Sequence, residues 1–138
     1  MTKLSFFLYR SETALAPDSD SARDLRARAA RTNADLGLTG FLHHEDGFFF
    51  QWIEGPPGPL DRIVTRLWRD PRHSNLMPLS GGGQTSRAFR GWDMGYSTRA
   101  DHSILAWLAD HGVAPYDRRG YAACVLSFLL ERSAAARG

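Results

Sequence analysis

The chain has 138 residues, the size of one ordinary domain, with 43% hydrophobic residues, 12% aromatic residues and a formal net charge of +2. Its longest near-continuous apolar run, residues 122–130, is too short to cross a bilayer, and the first residues lack a secretory signal pattern. A single cysteine excludes an internal disulfide, so these features together predict a soluble, cytoplasmic protein with no membrane partner.

The first half of the chain alternates strand and helix patterns. Asp18 and Ser19 supply N-cap chemistry before a run of good helix formers, and Gly37 is a typical C-terminal glycine for that helix. Asp46-Gly47 separates two apolar segments and is typical of a tight hairpin turn. The elements predicted here are a strand at 3–10, a helix at 21–36 and two antiparallel strands at 38–44 and 48–54.

An amphipathic helix is the clearest element of the second half, because five apolar residues recur at helical spacing after a segment rich in proline and glycine. These residues are Leu60, Ile63, Val64, Leu67 and Trp68. The other elements predicted here are strands at 75–79 and 92–97 separated by glycines 81–83, helices at 100–111 and 117–132, and a fraying tail at 133–138.

The order of these elements contains the split βαβ pattern. It predicts an α+β fold, a ferredoxin-like βαββαββ sandwich with two additional C-terminal helices. Residues 1–98 are predicted to form the sandwich and residues 99–138 the helical extension. The first two helices are expected on one face of the sheet. The last helix is so apolar that we expect it to cover the open face or to form part of a dimer interface.

Three polar residues stand among apolar neighbours. Gln51 interrupts an aromatic strand, and a buried amide without hydrogen bonds costs about 1–3 kcal/mol, so a tyrosine hydroxyl such as that of Tyr9 is a natural partner. The structural alternative is that Tyr9 and Gln51 only satisfy each other's hydrogen-bonding groups and have no further role. Asn33, near the end of the first helix, also has the alternative of a capping or turn residue. Trp92 and Met94, two apart on the predicted last strand, are expected to project to one face.

Patterns for familiar enzyme chemistry are absent, since the sequence contains no GxGxxG, P-loop, HExxH or metal-spaced cysteine pair. His43 and His44 are adjacent in a predicted strand, where successive side chains point to opposite faces, so they are not expected to bind one metal. Arg72 and His73 stand at a helix-to-strand loop and could hold a phosphate.

Five motifs occur in a fixed order over residues 4–97. They are Tyr9-Arg10-Ser11, Asn33 followed by Gly37-Leu38-Thr39-Gly40, Phe49 to Gly55, Asp70-Pro71-Arg72-His73, and Arg87 to Met94. Together they resemble the signature of the BLUF family, the flavin-dependent blue-light sensor domains. The resemblance implies that residues 1–98 form a BLUF photosensor domain and residues 99–138 its extension.

The same resemblance implies a noncovalently bound flavin between the two helices, usually FAD, with FMN and riboflavin as alternatives. It assigns Tyr9 as electron and proton donor, Gln51 as the hydrogen-bond switch and Asn33 as an anchor for the ring edge, with Trp92 and Met94 passing the change outward. The expected ring walls are Leu25, Ala29, Leu60, Ile63 and Val64, and the expected ribityl or phosphate contacts are Arg31, Arg72 and His73.

We expect a photoreceptor rather than an enzyme, similar to the short BLUF proteins. Its output is then expected through residues 100–132, an unidentified downstream protein or a homodimer. The alternative is a ferredoxin-like nucleic-acid-binding module without flavin, which the absence of an RNP-like pattern disfavours. A small acylphosphatase-like enzyme is a third reading, but no convincing nucleophile or general base stands out.

Overall fold

The computed structural model describes residues 3–114 and 117–137, so residues 1–2, 115–116 and 138 of the predicted domain division lie outside the described residues. Five strands form one sheet. They are β1 (Leu4–Glu12), β2 (Thr39–Glu45), β3 (Phe48–Gly55), β4 (Ser74–Gln84) and β5 (Gly95–Thr98). The strand order is β4-β1-β3-β2-β5; the pairs β4-β1, β1-β3 and β3-β2 are antiparallel, and β5 is parallel to β2. The predicted α+β, ferredoxin-like fold is therefore confirmed.

Four helices are present in the described part of the chain. They are α1 (Asp20–Leu36), α2 (Pro57–Arg69), α3 (Ile104–Asp110) and α4 (Arg118–Ala136). Ser19 caps α1 by accepting a hydrogen bond from the Ala22 amide, and Gly37 ends it in the left-handed conformation at φ 70°. In residues 3–114 and 117–137 we find no helix with the length and apolar character needed to cross a membrane.

Two apolar cores lie on opposite faces of the sheet. The core on one face contains Tyr9, Leu38 and Ile53 with Leu60 of α2. The larger core on the other face buries strand residues such as Leu8, Phe41, Phe50 and Trp52 against α3 and α4. The C-terminal helices therefore cover the face that would otherwise be open, whereas the division at residue 98 stays a prediction.

The β2–β3 hairpin sets the register of the site. Asp46 and Gly47 both have positive φ, 43° and 87°, as the predicted tight turn requires. With this turn, Gln51 lies opposite Leu42 on β2 and opposite Tyr9 on β1. Alternation places Tyr9 and Gln51 on the face that carries α2, while Leu8 and Trp52 lie on the face of α4.

Several predicted boundaries are wrong. β4 extends to Gln84 through the glycines, because their backbone groups pair with the start of β1. The last strand begins at Gly95 rather than at residue 92, since Trp92 donates its amide to Phe89 in a turn. α3 starts at Ile104 rather than at residue 100, because residues 98–102 form a turn and Ser103 caps the helix.

Helix ends and faces also differ from the prediction. α4 continues to Ala136, four residues past the predicted end, because alanine is a strong helix former. α2 starts at Pro57, since prolines suit a first turn whose amides have no helical partner. Trp68, predicted on the apolar face of α2, is 56% exposed because it lies one position beyond the stripe that ends at Leu67.

Candidate functional site

A buried tyrosine and glutamine face each other across β1 and β3. Their side chains are 2% and 5% exposed, and the Tyr9 hydroxyl donates a hydrogen bond to Oε1 of Gln51. Burial, with a smaller contribution from Asp70, raises the pKa of Tyr9 above its ordinary value, so the phenol keeps its proton. Nε2 of Gln51 lies 3.5 Å from Sδ of Met94 and donates to it. The expected tyrosine–glutamine hydrogen bond is confirmed.

Asn33 lies in the last turn of α1 and is 2% exposed. Its backbone oxygen accepts the Leu38 amide at 2.8 Å, so the backbone takes part in ending the helix. Its side-chain Nδ2 instead donates to the Asp93 carbonyl at 2.7 Å. No hydrogen bond to Oδ1 of Asn33 comes from residues 3–114 or 117–137, which leaves this oxygen for a ligand.

A cavity of about 180 Å³ lies between α1, α2 and the sheet, and the three polar residues share it. Its apolar walls are Leu25, Ala29, Leu42, Phe49, Ile53, Ile63 and Leu67, with Thr32 beside them. Its remaining polar lining comprises Tyr9, Asn33, Gln51, Arg28, Arg66, Asp70, Arg72 and His73, and Met94 completes the lining. An apolar slot with an amide edge is therefore present at the place predicted for the flavin ring.

Basic residues line the cavity where it meets the surface. Arg28, Arg66 and Arg72 are exposed there. Hydrogen bonds from the Arg72 guanidinium outweigh partial burial and hold the pKa of Asp70 below its ordinary value. Both ring nitrogens of His73 are already used, at 2.7 Å from Ser11 Oγ and 2.7 Å from the Leu67 carbonyl. His73 thus joins β1 to the end of α2, and the prediction that it contacts a phosphate has no free ring nitrogen to support it.

Four of the predicted site residues lie away from the cavity lining. Arg31 is exposed, two positions after Ala29 and so on another side of α1. Leu60 and Val64 pack in the apolar core beside Leu38 and Ile53. The fourth, Trp92, lies on the opposite face of the sheet. Leu25, Ala29, Ile63, Arg72 and Met94 line the cavity together with His73 and the polar trio, and their contact with a flavin stays a prediction.

Sequence reasoning missed several lining residues that helical spacing could have found. On α1 the lining residues Leu25, Arg28, Ala29 and Thr32 follow an i, i+3, i+4, i+7 stripe. The same spacing joins Ile63, Arg66, Leu67 and Asp70 along α2. Arg28 and Arg66 do not stand out in these patterns, because an amphipathic helix face is recognised by its apolar residues. Leu42, Phe49 and Ile53 follow from strand alternation next to Gln51.

Trp92 and Met94 do not project to one face, because both precede β5 and strand alternation does not apply to them. Met94 lines the cavity beside Gln51. Trp92 packs on the other face, edge-on to Phe41 with ring centroids 6.0 Å apart, and lies under the Arg137 guanidinium at 5.0 Å. The expectation of a shared face was therefore wrong.

His43 and His44 lie on opposite faces, as predicted. His43 contacts Ser97 Oγ at 2.7 Å and Glu45 Oε1 at 2.9 Å, whereas His44 reaches the Leu15 carbonyl at 3.0 Å. Burial lowers the pKa of His43 despite the hydrogen bond to Glu45, so the imidazole is neutral near pH 7. Among the residues that the structure describes, no cluster of three or more histidine, cysteine or carboxylate side chains could hold a metal.

The sheet, the paired helices and the buried tyrosine–glutamine pair define a small α+β domain with a cavity between its helices and its sheet. A family model described as sensors of blue light using FAD matches residues 4–95. The chain belongs to this family, the BLUF family.

Relatives and solved structures agree with this assignment. The photoactivated adenylate cyclase subunit beta of Euglena longa is 38% identical over 66 residues, which cover 48% of this chain and 8% of that subunit. Subunit alpha of Euglena gracilis is 37% identical over 71 residues, covering 51% of this chain and 7% of that subunit. The chain thus spans less than a tenth of the length of these relatives.

Solved structures cover most of the chain. The dark-state structure of BlrB, a BLUF protein, is 29% identical with a TM-score of 0.71 and covers 94% of this chain and 99% of that one. The photo-activated state of BlsA, at 23% identity and a TM-score of 0.75, covers 92% of this chain and 94% of that one and shares the fold.

Proposed function

We propose that the chain senses blue light through FAD held in the cavity between α1 and α2, with Tyr9 and Gln51 as the photoactive pair. The observation that carries this proposal is the buried hydrogen bond between the two side chains at the wall of an apolar cavity. If Tyr9 and Gln51 only satisfied each other's hydrogen-bonding groups, neither the adjoining cavity nor the presence of Asn33 in its lining would be explained.

The residues of the cavity fit a flavin. Leu25 and Ala29 of α1 and Ile63 of α2 supply apolar surface for the faces of a planar ring, and the amides of Asn33 and Gln51 supply donors and acceptors for its polar edge. Arginines at the surface end suit an anionic phosphate. This rim favours FAD or FMN over riboflavin, and the family description favours FAD.

Tyr9 and Gln51 have different tasks in this proposal. A flavin excited by blue light is a strong oxidant, which is the chemistry that the cofactor supplies. The Tyr9 phenol is placed to give up an electron, and its proton lies on the hydrogen bond to Oε1 of Gln51. The Gln51 amide carries a donor and an acceptor on one rotatable group, so half a turn exchanges the atoms that face Tyr9 and Met94. The pair therefore stores the light signal as a changed hydrogen-bond pattern.

The output is proposed to pass to the C-terminal helices, to a downstream protein or to a second copy of the chain. Arg10, next to Tyr9 on β1, donates to the Tyr121 hydroxyl of α4 at 3.1 Å on the opposite face of the sheet. Near the other end of α4, Arg137 donates to the Arg90 carbonyl and covers Trp92. Both ends of α4 thus contact segments that adjoin the photoactive pair.

We propose signalling by contact rather than by catalysis, because the family is a sensor domain. The nucleic-acid-binding alternative needs exposed aromatic side chains on the sheet. Here Phe6, Phe48 and Trp52 pack in the core formed with α4, so this observation counts against it.

Absorption spectroscopy tests the proposed function. Purified protein should carry flavin, and blue light should shift its absorption to longer wavelength with recovery in the dark. Tyr9→Phe should keep the flavin and lose the normal shift, because the phenol hydroxyl is removed from Gln51. The matched control is Tyr96→Phe on β5. The Tyr96 hydroxyl donates to the Pro17 carbonyl, so this substitution should leave the shift unchanged. A colourless protein that takes up no added flavin would contradict the proposal.

A further inference from the structure

Glu54 on β3 is a fully buried carboxylate that accepts five hydrogen bonds. Oε1 accepts from Trp52 Nε1 at 3.0 Å, from Gln84 Nε2 at 2.9 Å and from the Ala88 amide at 2.7 Å. Oε2 accepts from Thr39 Oγ1 at 2.7 Å and from the Phe89 amide at 2.8 Å. Burial alone would raise the pKa of Glu54, but these hydrogen bonds outweigh burial and lower it, so the carboxylate is charged.

Two of these donors are backbone amides in the segment of residues 85–94, which we call the 85–94 loop. The loop connects β4 to β5. Arg87 adds a second tie, because it donates to Thr39 Oγ1 at 3.0 Å and to the Gly37 carbonyl at 2.7 Å. Glu54 therefore fixes the first half of the loop against β2, β3 and the end of α1.

The second half of the same loop reaches the cavity. The Trp92 carbonyl accepts the Gly40 amide at 3.0 Å, and the Asp93 carbonyl accepts Asn33 Nδ2 at 2.7 Å. Met94, the last residue of the loop, receives the hydrogen bond from Gln51. The position of Met94 thus depends on a loop whose start is held by Glu54.

Gln51 and Glu54 lie on one strand but on opposite faces of the sheet. Gln51 is on the cavity face, while Glu54 shares the other face with Trp52. Because β3 is held between β1 and β2, the backbone positions of the two residues are fixed relative to each other. One strand therefore holds the switch residue directly and holds its Met94 partner indirectly, through the loop.

We propose that Glu54 is a positioning residue for the photochemistry: it sets the contact between Gln51 and Met94 and the anchoring of Asn33 by holding the 85–94 loop. This proposal rests on the proposed function of Tyr9 and Gln51. All five partners are donors or are placed to donate, so only a carboxylate satisfies them. A carboxamide of the same shape would place its NH₂ group against donors on one side.

Glu54→Gln tests the proposal, with flavin occupancy, the light-minus-dark spectrum and the dark-recovery rate as readouts. We expect the variant to bind flavin, to show a smaller or altered shift and to recover about tenfold faster, because Met94 is no longer held beside Gln51. Thr39→Val removes one contact of the carboxylate and the tie from Arg87 to Thr39 Oγ1. It should change the same readouts in the same direction by less, because the other four hydrogen bonds of Glu54 remain. If Glu54→Gln folds poorly, Thr39→Val still tests whether loosening the 85–94 loop alters the photochemistry.

A control for stability separates positioning from general weakening. Val125→Ala opens a fully buried position of α4 in the larger core and removes none of the hydrogen bonds of Glu54 or of the 85–94 loop. The spectra of Glu54→Gln and Val125→Ala are compared at temperatures equally far below the melting temperature of each variant. An unchanged shift and recovery in Val125→Ala supports positioning, whereas equal changes in both variants overturn it. Wild-type photochemistry in Glu54→Gln also overturns it, and a wild-type protein that binds flavin without responding to light contradicts the proposed function instead.

Discussion

Gly40 marks the closest approach of β2 to the neighbouring backbone. A Cβ at this position would collide with the Trp52 carbonyl, whereas one at Gly58 on α2 would have no neighbour within 4 Å. We expect Gly40→Ala to lower the free energy of unfolding by about 3 kcal/mol, because backbone atoms cannot move aside as a side chain can. Urea denaturation measures this change.

Gly58→Ala is the matched control for that substitution. Alanine has the higher helix propensity, so we expect this variant to be unchanged or stabilised by up to about 1 kcal/mol. Equal unfolding midpoints for Gly40→Ala and the wild type would contradict the close approach at β2.

Some side-chain contacts of the site can be predicted from the sequence, and others cannot. Tyr9 and Gln51 could be paired in advance, because a buried amide demands a partner and strand alternation supplies one face for both. The two uses of His73 could not, since they depend on the Ser11 hydroxyl and the Leu67 carbonyl, which only the assembled fold brings to the imidazole.

At the scale of elements, α4 contributes five of the twelve buried residues of the core on its face of the sheet. Leu129 is fully buried, while its neighbour Leu130 is 38% exposed. Leu129→Ala should cost roughly 2–5 kcal/mol of stability, because it removes buried methyl groups and leaves a cavity. Leu130→Ala should cost about 0.5 kcal/mol. Thermal unfolding of the two variants provides the measurement, and equal losses would mean that α4 packs by another face.

The contacts of α3 and α4 with the site predict a light-dependent change in these helices. Arg10 joins β1 to Tyr121 of α4, and Glu45 accepts the Ser103 hydroxyl and the Ile104 amide where α3 begins. We expect amide hydrogen exchange in residues 100–132 to differ between dark and illuminated protein by at least about threefold at the most affected amides. Tyr9→Phe should abolish the difference. Identical exchange in both states would exclude this output.

Elements with strong periodic patterns were predictable, and those that depend on turns were not. The hairpin at Asp46-Gly47 and the body of α2 follow from local sequence. The beginning of β5 depends on a turn that Phe89 and Trp92 make while Glu54 holds the preceding residues. Because Glu54 and Phe89 are 35 residues apart in the chain, no local sequence pattern predicts where β5 begins.

For the whole molecule, five buried or partly buried groups make stability depend on pH. Burial lowers the pKa of His43 and of His44, while hydrogen bonds outweigh burial and lower the pKa of Glu45 and of Glu54. The pKa of Asp70 is also low, chiefly because of its hydrogen bonds from Arg72. In every case the unfolded chain binds protons at a higher pH than the folded chain does.

These pKa shifts make the folded protein less stable as the pH falls. Stability is complete above the ordinary histidine value of 6.5 and is lost in a first step as the pH falls through the folded histidine pKa. A second loss follows below the ordinary glutamate value of 4.5. Melting temperatures from about pH 8 to about pH 2 measure both steps. His44→Gln should reduce the first step only, because its imidazole contacts the Leu15 carbonyl and neither Glu45 nor Glu54. A melting temperature that rose on acidification would contradict the assignment.

The order of strands has a consequence for how copies of this chain can meet. The two outer strands are β4, which contains Pro78 and the glycines at 81–83 and slips register against β1, and β5, which has only 4 residues. Proline offers no amide, and glycine-rich or very short strands are poor templates for another strand. Fibre-like growth from either rim is therefore disfavoured. A second copy would have to dock through helical or loop surfaces, which can part again when the light signal decays.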